Sequence, residues 1–148
     1  PRVPRRVTTP VGSTARSSVL RVVTAVGLAG DAYVHADLAP CYPGSGGAVG
    51  QQGLFLVEAG IAVAAALLVL TRGRPAVYLV AALVAASALT AAVASRYVDL
   101  GPIGPLPNLY EPVWYPEKVV AAGGEAVALA AAGLLLAGIR ASRTGRGT

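Results

Sequence analysis

Residues 75–95 are 21 consecutive positions without a charge. An α-helix needs ~20 such residues to cross the ~30 Å hydrocarbon core of a bilayer. There the backbone must satisfy its own hydrogen bonds, so helix is the only open-ended solution. Two further segments come close to the same property. Residues 53–70 carry one charge, Glu58, and residues 119–139 carry one, Glu125. Breaks bound them: Thr71-Arg72-Gly73-Arg74-Pro75 reads as a tight turn, and Pro116 precedes the last segment. Charged residues are only 13% of the chain, against ~25% in a soluble domain. The composition therefore argues against a water-soluble globule.

A fourth span must come from the N-terminal region. Residues 22–30 are apolar, but Asp31, His35 and Asp37 follow. A helix over residues 18–39 would reach ~33 Å at ~1.5 Å per residue. Two other readings stay open: a cleaved signal peptide ending at Val34-His35-Ala36, or a lipoprotein signal at Leu38-Ala39-Pro40-Cys41, where the proline departs from the usual pattern. Charge favours the span, because residues 39–52 contain no Lys or Arg, as an external loop should.

The charges divide by sign. Arg2, Arg5, Arg6, Arg16, Arg21, Arg72, Arg74, Arg140, Arg143 and Arg146 fall at one level of the four-span arrangement. Asp31, Asp37, Glu58, Asp99, Glu111, Glu117 and Glu125 fall at the other. Bilayers impose this pattern, since Lys and Arg are retained in cytoplasmic loops. The expected protein is an all-α, four-helix transmembrane bundle with the lipid bilayer as its partner. Its spans lie at about 18–39, 53–70, 75–95 and 118–139, inside a membrane domain of residues 18–139. Residues 1–17 and 140–148 are expected as basic cytoplasmic tails, the first of them flexible. Both termini would face the cytoplasm of a bacterial cytoplasmic (inner) membrane.

The external connections are then 40–52 and 97–116. Tyr33, Tyr42, Tyr97, Tyr110, Trp114 and Tyr115 gather at that end, where amphipathic rings settle among headgroups. Residues 101–116 hold five prolines and many apolar residues, so the loop should fold back over the helix ends. The basic balance does not point to nucleic acid, because the arginines flank apolar segments instead of forming one face with interleaved aromatics. Cys41 is the only cysteine, which excludes an internal disulfide.

An internal similarity suggests two tandem helical hairpins. Tyr33-Val34-His35-Ala36-Asp37-Leu38 resembles Tyr97-Val98-Asp99-Leu100, and Glu58-Ala59 with the apolar run after it resembles Glu125-Ala126 with its own. Two such hairpins would be related by a pseudo-two-fold along the membrane normal, with Glu58 and Glu125 at matching depth. Ala/Val/Leu runs also align by chance.

Chemistry would sit where charge lies inside a span. Glu58 is ~6 Å inside the outer end of the second helix, and Glu125 is at similar depth in the fourth. Asp31 and His35 are four apart, on one helical face. Arg96 and Lys118 lie at the same level. Asp31, His35, Glu58, Arg96 and Glu125 form the candidate polar cluster of an outward-facing pocket. Within it His35, Asp31, Glu58 and Glu125 offer mixed nitrogen and oxygen ligands that suit a metal ion. Buried carboxylates beside a histidine also suit proton movement. The plainer alternative is that Arg96 pairs with Glu58 or Asp31 and pins helices together. Gly60 with Ala64, Gly124 with Ala128, and Gly133 with Ala137 have the spacing that lets helices approach closely.

The stretch Tyr33-Val34-His35-Ala36-Asp37-Leu38, followed by Gly53-Leu54-Phe55-Leu56-Val57-Glu58-Ala59, resembles small four-helix integral membrane proteins of unknown function from high-GC, actinobacterial-type bacteria. The resemblance covers residues 18–139. It implies an integral membrane protein and transfers no catalytic residue. No activated nucleophile, Gly-rich phosphate loop or zinc-finger spacing is present, so no enzyme activity and no cofactor are expected. The expected role is accessory or structural, beside another membrane protein or a second copy of the chain. The alternative is a binder or transporter of a metal ion, proton or small solute.

Overall fold

The computed structural model describes residues 11–43 and 49–144. Residues 1–10, 44–48 and 145–148 lie outside the described residues, and with them Arg2, Arg5, Arg6 and Arg146. Four helices carry the described chain: α1 (Val11–Leu38), α2 (Gln51–Thr71), α3 (Pro75–Tyr97) and α4 (Pro116–Thr144). A single 3-10 turn, Ala39–Cys41, follows α1. No strand occurs among the described residues. Each helix is long and apolar enough to cross a membrane, which is the architecture of a polytopic membrane protein.

Two helices run past their apolar segments. α1 begins at Val11 and so takes in residues 11–17, expected as tail; α4 continues to Thr144 through the start of the other. The physical reason is shared. Ser17 and Ser18 donate to the Thr14 carbonyl at 2.9 and 3.1 Å. Ser142 donates to Gly138 at 2.9 Å, and Thr144 to Ala141 at 3.0 Å. Once a helix exists, each added residue brings one more backbone bond, so a helix required by lipid continues into its polar flanks, and the hydroxyls there find acceptors within it. α2 starts at Gln51, two residues early, with Gly50 in extended conformation before it. α3 starts at Pro75, whose fixed φ and missing N–H suit a first helical position.

α1 lies against both α2 and α4, and α3 lies against α4; α2 and α3 touch more sparsely. The two sequential hairpins are therefore present, but the seams between them are unequal, so the packing departs from a strict two-fold. The core is built from small residues such as Ala65, Ala81, Ala85, Ala128 and Ala132, with Leu28, Val69 and Leu135. Large apolar residues point outward instead: Val26, Leu67 and Leu83 are 65%, 58% and 60% exposed. This inverts a soluble bundle. In lipid no hydrophobic force drives helices together, and close approach of small residues provides the packing.

The tightest seam shows this directly. A Cβ placed on Gly27 of α1 would lie 2.5 Å from the Gly124 carbonyl oxygen of α4, and one on Gly124 would lie 2.8 Å from the Gly27 carbonyl. Ala128, one turn after Gly124, packs at the same place. Of the small-residue pairs picked from sequence, Gly124 with Ala128 does form a seam, whereas Gly60 and Gly133 face nothing within 4 Å. At the opposite end of the bundle, Arg21 reaches from α1 to the C-terminus of α2. Its guanidinium donates to the Val69 carbonyl at 2.8 Å and to the Leu70 carbonyl. A cation there satisfies orphan carbonyls and meets the negative end of the helix dipole.

The connection 98–115 folds back as expected. Asp99 organises it: its Oδ1 accepts from the Gly101 N–H and from Asn108 Nδ2, both at 3.0 Å. Gly101 and Gly104 have φ of +63° and +58°, which side chains rarely adopt. The Glu111 N–H donates to Ser95 at 2.7 Å, and the Val49 N–H donates to Pro105 at 3.2 Å. The second bond ties the two long connections together.

Candidate polar site

Asp31, His35 and Glu125 converge. One ligand atom from each lies within 4.8 Å of the other two. Asp31 and Glu125 are fully buried, at 0% exposure. The glycine seam is what joins them. Asp31 is one turn beyond Gly27, and Glu125 is adjacent to Gly124, so the close approach of α1 and α4 carries two carboxylates into one space. His35 is a further turn along α1. Its Nδ1 lies 2.8 Å from Asp31 Oδ1 and 3.1 Å from the Asp31 carbonyl oxygen. Only the carbonyl contact has hydrogen-bond geometry. Among the described residues, no hydroxyl, amide, Lys or Arg donor bonds to a carboxylate oxygen of Asp31 or Glu125; the two carboxyl groups lie within hydrogen-bonding reach of each other.

A pocket of about 360 Å³ opens beside this group, at the bundle end that carries the two long connections. His35, Glu58 and Glu125 line it, as do the polar residues Gln51, Ser95, Glu111 and Lys118. Asp31 is not in the wall but stands behind His35. The remaining wall is mostly apolar: Val34 and Leu38 from α1, Leu54 and Phe55 from α2, Ala88 and Ala91 from α3. Phe55 meets the His35 ring edge-on at 5.2 Å and the Tyr42 ring at 5.1 Å. Tyr115, in the second connection, also lines the pocket and hydrogen-bonds to Tyr42. Burial, and then that bond, push the Tyr115 phenol above the usual tyrosine range.

Glu58 reaches the same pocket from α2 but stays outside the three-residue group, with its buried Oε1 unbonded. Arg96 does not join. The only ion pair among the described residues is His35 with Asp31, so the expected pairing of Arg96 with Glu58 or Asp31 is not formed. Arg96 stands over the Tyr97 ring at 5.2 Å, and its buried Nε has no acceptor. Lys118 lines the pocket but spends its charge elsewhere: Nζ donates to the Glu111 carbonyl at 2.9 Å and faces the Trp114 ring at 5.5 Å. Lys118 is on the same face of α4 as Glu125 but two turns, ~10 Å, nearer the helix end, where the Glu111 carbonyl takes its charge. Arg96, at the end of α3, turns to the Tyr97 ring instead of the carboxylates.

The electrostatic consequence is simple. Two ionised carboxylates ~4 Å apart repel by about 4 kcal/mol at an effective dielectric constant near 20. A charge within a span already costs roughly 2.5–3.5 kcal/mol at the membrane centre. Glu58 adds a third acidic group within electrostatic reach of Asp31, His35 and Glu125. A positive charge entering this space would relieve all three.

The helices and the polar group define a class: a multi-pass membrane protein with a carboxylate-rich site inside its bundle. Compared with models of known protein families, with curated proteins and with solved structures, the chain finds no match.

Proposed function

We propose that this protein binds a cation at Asp31, His35 and Glu125, from a pocket that opens on the outer face of the bacterial cytoplasmic membrane. One observation carries the reading: two fully buried carboxylates and an imidazole offer ligand atoms within 4.8 Å of one another, and no Lys or Arg neutralises them. Two buried carboxyl groups this close are relieved by a shared proton or by a cation, and His35, the single base beside them, offsets only one of the two charges. An accessory or structural role accounts for the glycine seam and for Arg21, but leaves the buried carboxylates without a purpose. The outward orientation rests on the arginines at the opposite end and on the aromatic residues around the pocket mouth.

Melting curves of the full chain in lipid nanodiscs test the reading, with Mn²⁺, Zn²⁺ and organic ammonium ions as probes. A ligand at about 100 times its Kd stabilises the state that binds it by about 2.7 kcal/mol. At least one probe should raise the melting temperature of the wild type and fail to do so in Asp31→Asn/Glu125→Gln. No rise with any probe, or an equal rise in the double variant, rejects the proposal.

A further inference from the structure

The geometry points to an organic ligand: a singly charged ammonium or similar cation carried on an apolar body, bound with its charge against Glu125 and Glu58 and its body along the apolar wall of the same pocket. This inference rests on the cation-binding reading and names its substrate class.

Size comes first. The pocket of about 360 Å³ falls in the range of ~300–1,000 Å³ typical of small organic ligands. A bare metal ion would use the space among Asp31, His35 and Glu125 and leave the rest empty. A hydrated hard ion would fill the space, but it needs oxygen ligands on several sides, and most of the wall is carbon. Two kinds of side chain share the wall. His35, Glu58 and Glu125 bring acid and imidazole, with Gln51, Ser95, Glu111 and Lys118 also polar, and the Phe55–Tyr42 aromatic pair and aliphatic side chains make most of the remaining surface. Such a wall complements an apolar body, and aromatic rings also attract cations.

The acidic residues are not merely a cluster on a surface. Glu125 is wholly buried and lines the pocket, and among the described residues its only side-chain neighbour within hydrogen-bonding reach is the Asp31 carboxyl, another acid. Glu58 faces the same space from another helix with a buried, unbonded oxygen. One cation placed between them meets two carboxylates supplied by α2 and α4. Access follows from the packing. α2 and α3 touch sparsely, and both line the pocket, through residues that include Val57 at 60% exposure and the exposed Ala91. An amphipathic cation that partitions into the bilayer would meet this seam from the side.

The test uses the full chain in nanodiscs and two probes. Ethidium stands for an aromatic monocation and is followed by fluorescence; Mn²⁺ stands for a metal ion and is followed by electron paramagnetic resonance. Ethidium should bind the wild type saturably. Glu125→Gln and Glu58→Gln should each weaken it by about tenfold or more, as loss of a buried charge partner does. Glu117→Gln, an exposed charge outside the pocket, should bind as the wild type does. Melting curves confirm that each variant is folded. If a Gln substitution unfolds the chain, Glu→Asp at the same position substitutes for it and should weaken binding by displacing the charge. Ethidium signal that is unchanged in both glutamate variants is partition into lipid and overturns the inference. Mn²⁺ binding that requires Asp31, His35 and Glu125, without ethidium binding, overturns the organic ligand and leaves the cation site standing. Failure of both probes overturns the two readings together.

Discussion

Gly27 has a sharper role than any charged residue in this chain, because it decides how near α1 comes to α4. A side chain there would meet the Gly124 carbonyl at 2.5 Å, a backbone atom that cannot swing aside. Gly27→Leu is expected to destabilise the folded bundle by about 1–3 kcal/mol, the usual range for overpacking. A lowered melting temperature in detergent would register it, and separation of Asp31 from Glu125 should weaken cation binding in the same variant. Gly60→Ala supplies the contrast. Nothing lies within 4 Å of a Cβ there, and alanine is favoured over glycine in a helix by about 1 kcal/mol. Equal melting temperatures for the two variants would reject the seam. Composition hid Gly27: in a chain so rich in alanine, many pairs have small-residue spacing, and only packing selects one. The carboxylates were legible for the opposite reason. Asp31, Glu58 and Glu125 interrupt apolar segments at similar depth, and counting residues along a helix gives depth. How helices rotate and shift against one another cannot be counted in the same way: Lys118 shares the Glu125 face yet stays two turns away on the Glu111 carbonyl, and Arg96 turns to Tyr97.

Helices as elements were readable from length and polarity, and their ends less so. Each apolar segment marks the stretch that lipid requires to be helical. It says nothing about how far a helix persists beyond that stretch, where continued backbone bonding carries α1 and α4 on and Ser17, Ser18, Ser142 and Thr144 bond to carbonyls within them. The ends also hold the main polar tie between helices on the arginine side. Arg21 belongs to the basic set gathered at one level of the bundle, yet in the fold it caps α2 from a neighbouring helix. Arg21→Gln should therefore do more than remove one topological charge. Hydrogen bonds to a charged group contribute about 1.5–3 kcal/mol, and amide hydrogen exchange should speed up in the last turn of α2 while Arg16→Gln leaves it unchanged. Equal protection in both variants would reduce Arg21 to a surface charge.

For the whole molecule, the proposed topology has a direct check. Reporter fusions at residues 46 and 106 should both read external and a fusion after residue 144 cytoplasmic; a cytoplasmic signal at 46 or 106 rejects it. The architecture also has a bearing on how the protein comes into being. Asp31 and His35 arrive with the first helix and Glu125 with the last, so the polar site is divided between the two ends of the chain. During synthesis α1, α2 and α3 must be accommodated before α4 exists. Until then the α1 face around Gly27 lacks its partner, and Asp31 has Glu58 of α2 within electrostatic reach but not Glu125. Completing the bundle and completing the site are thus one event, and a nascent chain halted before α4 would expose an acidic helix face suited to capture by a quality-control factor that recognises misplaced charge in the membrane.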